Sequence, residues 1–315
     1  MISRQVRAVL SNQAVSMLLI LIAMWFVLSL LSPYFFTVGN LSEITLQTAV
    51  IGIIAAGETL IIISGGIDLS VGSIFACSGV LGGLVFQNTA NLPAALLTTI
   101  ICGGILGFAN GFFITRLRVP PFIATLGMLG IARGFALIFS RGIPIFGLSE
   151  PYLWIGQGKV LNFIPVPTII MLLVFASVFF IAHFTRFGRF TYAIGSNAEA
   201  AVLSGINLKF VTLCIYAGGG LLCGVASIIE AARLATIQPA GGNGYELLAI
   251  GAVVIGGTSL FGGEGNVIAT LIGAIIETTI RNGLNILGVN AFWQYVVNGG
   301  VIIAAVAIDQ LKRVA

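Results

Sequence analysis

Apolar residues run along this chain in ten long stretches divided by short polar gaps, near 14–32, 45–64, 71–88, 93–115, 120–140, 166–184, 209–229, 245–260, 264–282 and 293–311. Crossing a hydrocarbon core takes about 20 apolar residues in a helix, because lipid offers no partner to a free backbone N–H or C=O. The pattern predicts an all-α, polytopic membrane protein of about ten spans, organised as one transmembrane unit over 1–315. Two of the stretches run into the same motif, Gly-Gly-x-x-Leu-x-x-Gly, at Gly65-Gly66 and again at Gly256-Gly257. Helices are expected to be interrupted or re-entrant there, as a transport pathway requires.

The first interruption reads Ser64-Gly65-Gly66-Ile67-Asp68-Leu69-Ser70-Val71-Gly72-Ser73, with Glu58 about two turns earlier. A carboxylate at membrane depth costs about 2.5–3.5 kcal/mol on insertion scales, so Glu58 and Asp68 should face a polar cavity or a partner. Two roles stay open for Asp68, capping the next helix and lining the path, and they are compatible. The second interruption runs from Ile255 to Gly265 and carries Thr258, Ser259 and Glu264. It aligns with the first over eight positions, which argues for an internal duplication, parallel rather than inverted. Glu58, Asp68, Ser70, Thr258 and Ser259 are the candidate path residues.

Composition excludes a soluble enzyme: 58% of residues are hydrophobic and 8% charged, with a mean hydropathy of +1.11, too few polar side chains to wet a surface. The first apolar run, Ala14 to Leu31, ends in Ser32-Pro33-Tyr34-Phe35 rather than a small-residue cleavage site, and is expected to stay as a span. Arg4 and Arg7 then put the N-terminus in the cytoplasm. Alternation assigns Arg116, Arg118, Arg186, Arg189, Lys209, Lys312 and Arg313 to the same side, nine of the fourteen cations in all, so both termini are expected to be cytoplasmic. The net charge of +4 reflects membrane orientation, and no nucleic-acid partner is expected.

Cys77, Cys102, Cys214 and Cys223 all fall within spans without metal-ligand spacing, and read as small packing residues; neither metal nor cofactor is expected. His183, the single histidine, falls at an interface beside Arg186. Gly103, Gly107 and Gly111 form a ridge on one helix face that admits another helix closely, from this chain or a second copy. Glu277 and Arg281, four residues apart, could neutralise each other as an interfacial stabilising pair; a contact to a transported solute is the alternative.

The substantial polar segment, Phe184 to Lys209, contains Glu199-Ala200-Ala201 followed by Gly205. That is the spacing of a short coupling helix docking on a separate ATPase, within a cytoplasmic loop of about 185–208; an ordinary solvated loop is the alternative. With GGIDLSVGS at 65–73, VPPFIATLGMLGIARG at 119–134, GRFTYAIGSNAEAAVLSGIN at 188–207 and GYELLAIGAVVIGGTSLFGGEG at 244–265, the chain resembles the permease subunits of ribose-type monosaccharide ABC importers. The likeness covers nearly the whole chain, and 229–309 is most similar to ribose permeases. Leu248 departs from it, since relatives often carry aspartate there.

The resemblance implies a homodimeric pore in the bacterial plasma (inner) membrane, a cytoplasmic twin-cassette ATPase and an extracytoplasmic sugar-binding protein. No Gly-x-x-x-x-Gly-Lys-[Ser/Thr] loop occurs, so ATP chemistry is expected on another polypeptide and this chain is expected not to be an enzyme. Outer segments 141–165 and 231–244, with Arg233, Gln238 and Asn243, are the expected meeting surface for the binding protein. The rival reading is an ion-coupled secondary transporter, with Glu58 and Asp68 carrying protons or sodium. An intramembrane hydrolase lacks the necessary cluster.

Overall fold

A computed structural model describes residues 13–314, and its framework is helical throughout, apart from one small hairpin. In chain order the helices are α1 (Gln13–Leu31), α2 (Val38–Ile63), α3 (Val71–Thr89), α4 (Leu92–Arg116), α5 (Pro121–Ser140) and α6 (Glu150–Gln157). The antiparallel strands β1 (Lys159–Val160) and β2 (Ile164–Pro165) follow. Then come α7 (Val166–Phe184), α8 (Arg186–Ser196), α9 (Ala198–Leu203), α10 (Leu208–Leu234), α11 (Tyr245–Ile255), α12 (Val267–Ile286) and α13 (Ala291–Val314).

Eight of these helices, α1 to α5 with α7, α10 and α12, are long and apolar enough to cross a membrane. Of the two remaining expected spans, 293–311 lies within the 24-residue α13. The run 245–260 is not one helix: α11 stops at Ile255 after 11 residues, a rise of about 16 Å, roughly half a hydrocarbon core.

What completes that crossing is non-helical chain, running in turns over 239–244. A Cβ on Gly83 would meet Ile237, and one on Gly72 would overlap the Gly242 carbonyl. Residues 237–242 therefore descend along α3 from Gly83 to Gly72, about 16 Å of helix rise, before α11 begins. The eighth crossing is half irregular turns and half helix, a form that helix-length hydropathy reading cannot recognise.

At the centre stands α2, buried along most of its length and packed by α7, α10, α11 and α12. Its apolar side chains point inward on every face, whereas α1 turns Leu19, Ile22, Phe26 and Leu30 outward, toward lipid. The glycine ridge of α4 finds its partner within this chain. Gly103 and Gly107 meet the backbone of α10 at Gly220 and Tyr216, and Gly111 meets Leu213. A methyl group at Gly103 or Gly107 would overlap a carbonyl oxygen, so the two helices cross at a separation only hydrogen side chains permit.

Cys77 and Cys223 are buried in the bundle and Cys102 and Cys214 partly so. His183 ends α7 exposed, its ring 4.3 Å from that of Phe179. Glu277 and Arg281 do not form the expected ion pair: Glu277 is buried, its Oε1 without a partner. Ion pairs among the described residues join Arg233 to Glu43 and to Glu230.

Candidate translocation and coupling site

Gly65, in the left-handed region at φ +83°, ends α2 and reverses the chain. The segment then folds back beside α2 until it is level with Glu58, whose Oε1 accepts from the Asp68 N–H at 3.0 Å. Asp68 Oδ1 accepts from the Ser70 N–H at 2.7 Å, and the Ser70 hydroxyl bonds the same oxygen. This is an Asx turn immediately before α3. The N-cap position itself belongs to Ser70, so Asp68 orders the turn rather than capping the helix.

From α4, Asn110 Nδ2 reaches both members, Asp68 Oδ2 at 3.2 Å and Ser70 Oγ at 2.8 Å. The Ile67 carbonyl accepts from Thr125 of α5 at 3.3 Å and Tyr216 of α10 at 3.5 Å. Glu58, Asp68, Ser70 and Asn110 are each at most 1% exposed. An irregular turn is thus suspended inside the bundle with hydrogen bonds from α2, α4, α5 and α10, which is what membrane depth demands of free backbone.

Arg133, in the interior of α5, does the same for the descending chain. Its Nη1 donates to the carbonyls of Pro239 and Gly241, both at 2.8 Å. Arg233 at the end of α10 is clamped by Glu230 at 3.0 Å and Glu43 at 3.2 Å, and the Tyr245 hydroxyl donates to Glu230 at 3.1 Å. Gln238 and Asn243 are exposed.

Thr258 and Ser259 lie in the second interruption, each 1% exposed, apart from the Asp68 cluster. The turn that ends α11 repeats the one that ends α2: the N–H groups of Gly257 and Thr258 bond Val254 and Val253, as those of Gly65 and Gly66 bond Ile62 and Ile61. The left-handed glycine is the first of its pair at Gly65 and the second at Gly257, φ +79°. The two turns therefore correspond one residue out of register with the sequence match.

Both interruptions meet at one point. The Gly263 N–H donates to the Ile63 carbonyl at 2.8 Å, and into this junction runs the end of α8. A Cβ at Gly195 would overlap the Ile63 carbonyl and come within 2.5 Å of the Gly263 nitrogen, while the Tyr192 hydroxyl donates to the Gly265 carbonyl at 2.9 Å. Directly after it, α9 is capped by Asn197, which accepts from the Ala200 N–H at 2.9 Å, and ends at Gly205, φ +83°. Ala201 packs inward, Glu199 and Ala200 are exposed, and Leu203 stands 88% exposed.

Sequence reasoning missed Asn110, Arg133, Tyr192 and Gly195. A polar residue inside an apolar span is itself a signal of an internal partner, and both Asn110 and Arg133 carry it.

Helices interrupted at membrane depth, with every irregular stretch held by inward-facing polar groups, define a polytopic transport subunit of the discontinuous-helix kind. Residues 40–306 match the family described as branched-chain amino acid transport system / permease component, and the chain belongs to that family. It is similar to the ribose import permease protein RbsC of Escherichia coli strain K12, 43% identical over 94% of this chain and 92% of the relative. RbsC of Bacillus subtilis strain 168 is 45% identical over 91% of this chain and 89% of its own length. The D-allose transport system permease protein AlsC of Escherichia coli strain K12 is 41% identical over 89% and 86%. No solved structure gives a significant match. The protein is a multi-pass membrane permease, not itself an enzyme.

Proposed function

We propose that this chain is the membrane subunit of an ABC importer that conducts a monosaccharide, ribose or a related pentose or hexose, into the cytoplasm. It works as a homodimer in the bacterial plasma membrane, both termini cytoplasmic, with a twin-cassette ATPase on the inner side and an extracytoplasmic sugar-binding protein outside. The names borne by its relatives support the sugar class.

The observation that carries the mechanism is the junction of Gly195, Ile63 and Gly263. In this reading α9, with Glu199, Ala200, Ala201 and Gly205, is the part that the ATPase grips. Its displacement passes through Tyr192 and Gly195 to both interrupted segments at once, because backbones in contact cannot move past one another without repacking. Those segments flank the conduit, and Glu58, Asp68, Ser70, Thr258 and Ser259 fix them from within. On the opposite side, Gln238 and Arg233 with the 141–165 segment receive the binding protein, while Asn243, expected to join them, stands at the foot of the descending chain among the membrane helices.

The test is monosaccharide uptake by the full complex in cells whose ion gradients are collapsed while ATP is maintained. Uptake is expected to continue, and to stop when the ATPase subunit is inactivated. Arrest on loss of the ion gradient alone would assign the protein to secondary transport instead.

A further inference from the structure

Between α11, α12 and α13 lies a cavity of about 220 Å³ whose lining includes Asn243, Tyr245, Arg281, Gln294, Tyr295 and Asn298. Three amides, two phenol rings and a guanidinium are a costly lining for a space between membrane helices unless something satisfies them. The protein itself does so only in part. Asn298 Oδ1 is buried with no hydrogen-bond partner, and so is Oε1 of Glu277, one turn from Arg281. Arg281 forms no ion pair among the described residues. Buried polar atoms left in this state become favourable contacts only when a ligand supplies the missing donors and acceptors.

Other lining groups are already fixed. Gln294 Nε2 donates to Asn285 Oδ1 at 2.6 Å, and the Tyr245 hydroxyl is committed to Glu230, which leaves its ring as wall. Leu248 completes an apolar side. A ring face beside amides that both donate and accept suits a solute with an apolar C–H face and hydroxyls that do both. An anion gains less here than at an isolated guanidinium, because Glu277 and Arg281, though not in contact, lie within electrostatic reach of each other.

We propose that this cavity is a contact site for a neutral polyhydroxylated solute of monosaccharide size on its way through the permease. The proposal rests on the transport reading above and names where the cargo touches this chain.

Two measurements on the complex with its ATPase test it. In a background whose native cysteines are replaced, Asn298→Cys is exposed to an alkylating reagent with ribose, with leucine or with neither. Ribose is expected to slow alkylation and leucine to leave it unchanged; equal rates in all three, or protection by leucine alone, would overturn the proposal. In the native background, Arg281→Leu and Asn298→Leu are expected to lower ribose uptake about tenfold while ATP hydrolysis stimulated by the binding protein is kept. Unaltered uptake in both variants counts against the site. If the unaltered complex takes up no monosaccharide, the proposed function fails by itself and the alkylation rates alone decide the cavity.

Discussion

A single amide nitrogen, that of Asn110, joins the turn before α3 to the glycine face of α4. Without it Asp68 Oδ2 and Ser70 Oγ lose a donor inside the bundle, where no water replaces it. Asn110→Leu is therefore expected to destabilise the permease by about 1–3 kcal/mol, read as a lower thermal midpoint and a reduced yield of complex. Asp68→Asn should be milder, since its amide oxygen still accepts from the Ser70 N–H and hydroxyl, and its new NH2 can donate to the otherwise unpartnered Asn110 Oδ1 once that amide turns over. That variant is expected to assemble normally and to transport close to normally, and a severe uptake defect with full assembly would place Asp68 in contact with cargo in another conformation. Glu58 and Asp68 were legible in the sequence because an acid in an apolar run demands an explanation. Asn110 was not, because it sits within the Gly103–Gly107–Gly111 ridge, whose spacing already had one.

At the scale of elements, the proposed coupling segment α8–α9 has one end packed against both interruptions and the other exposed. Gly195→Val would drive a side chain into the Ile63 carbonyl, parting the two interrupted segments. Uptake is expected to fall to background while the ATPase still co-purifies. At the exposed end Gly205→Asn retains the left-handed turn, which asparagine tolerates. Gly205→Glu adds a charge on the docking side as well as strain of roughly 1–2 kcal/mol. The glutamate variant is expected to lose coupled ATP hydrolysis and uptake together, and the asparagine variant to retain most of both; equal behaviour of the two would remove α9 from the docking surface.

The glycine motifs announced both breaks correctly, because a left-handed residue after an apolar helix has few substitutes. The descending chain before α11 was hidden for a related reason. Its ten residues, 235–244, hold Gln238, Pro239, Gly241, Gly242 and Asn243 and so read as an outer loop, and the backbone hydrogen bonds that settle the matter come from Arg133, more than a hundred positions away in sequence. The proposed coupling segment is a reading of the spacing from Glu199 to Gly205, whereas Tyr192 and Gly195 gain their meaning only from the Ile63, Gly263 and Gly265 backbones they meet.

For the molecule as a whole, the meeting of residues 63–65, 195 and 262–265 puts both interruptions and the α8–α9 segment on one side of the membrane. The same relative sidedness follows from the distribution of arginine and lysine. Overall architecture was thus accessible from charge and hydropathy, whereas the choice of helix partners was not, since apolar faces in lipid differ mainly in how closely backbones can approach.

That choice bears on how the chain is made. The glycine face of α4 enters the membrane early in synthesis, yet the helix it fits, α10, emerges only after residues 117–207. Until then α4 has a groove where a neighbour belongs, and Asn110 must anchor the Asp68 turn from an unsupported helix. Nascent chains ending before Leu208 are expected to be cleared rapidly by membrane proteases, and chains extended past Leu234 to survive several times longer, as pulse-labelling would measure. The late arrival of α10 makes it the step that commits the half-built bundle to its final form.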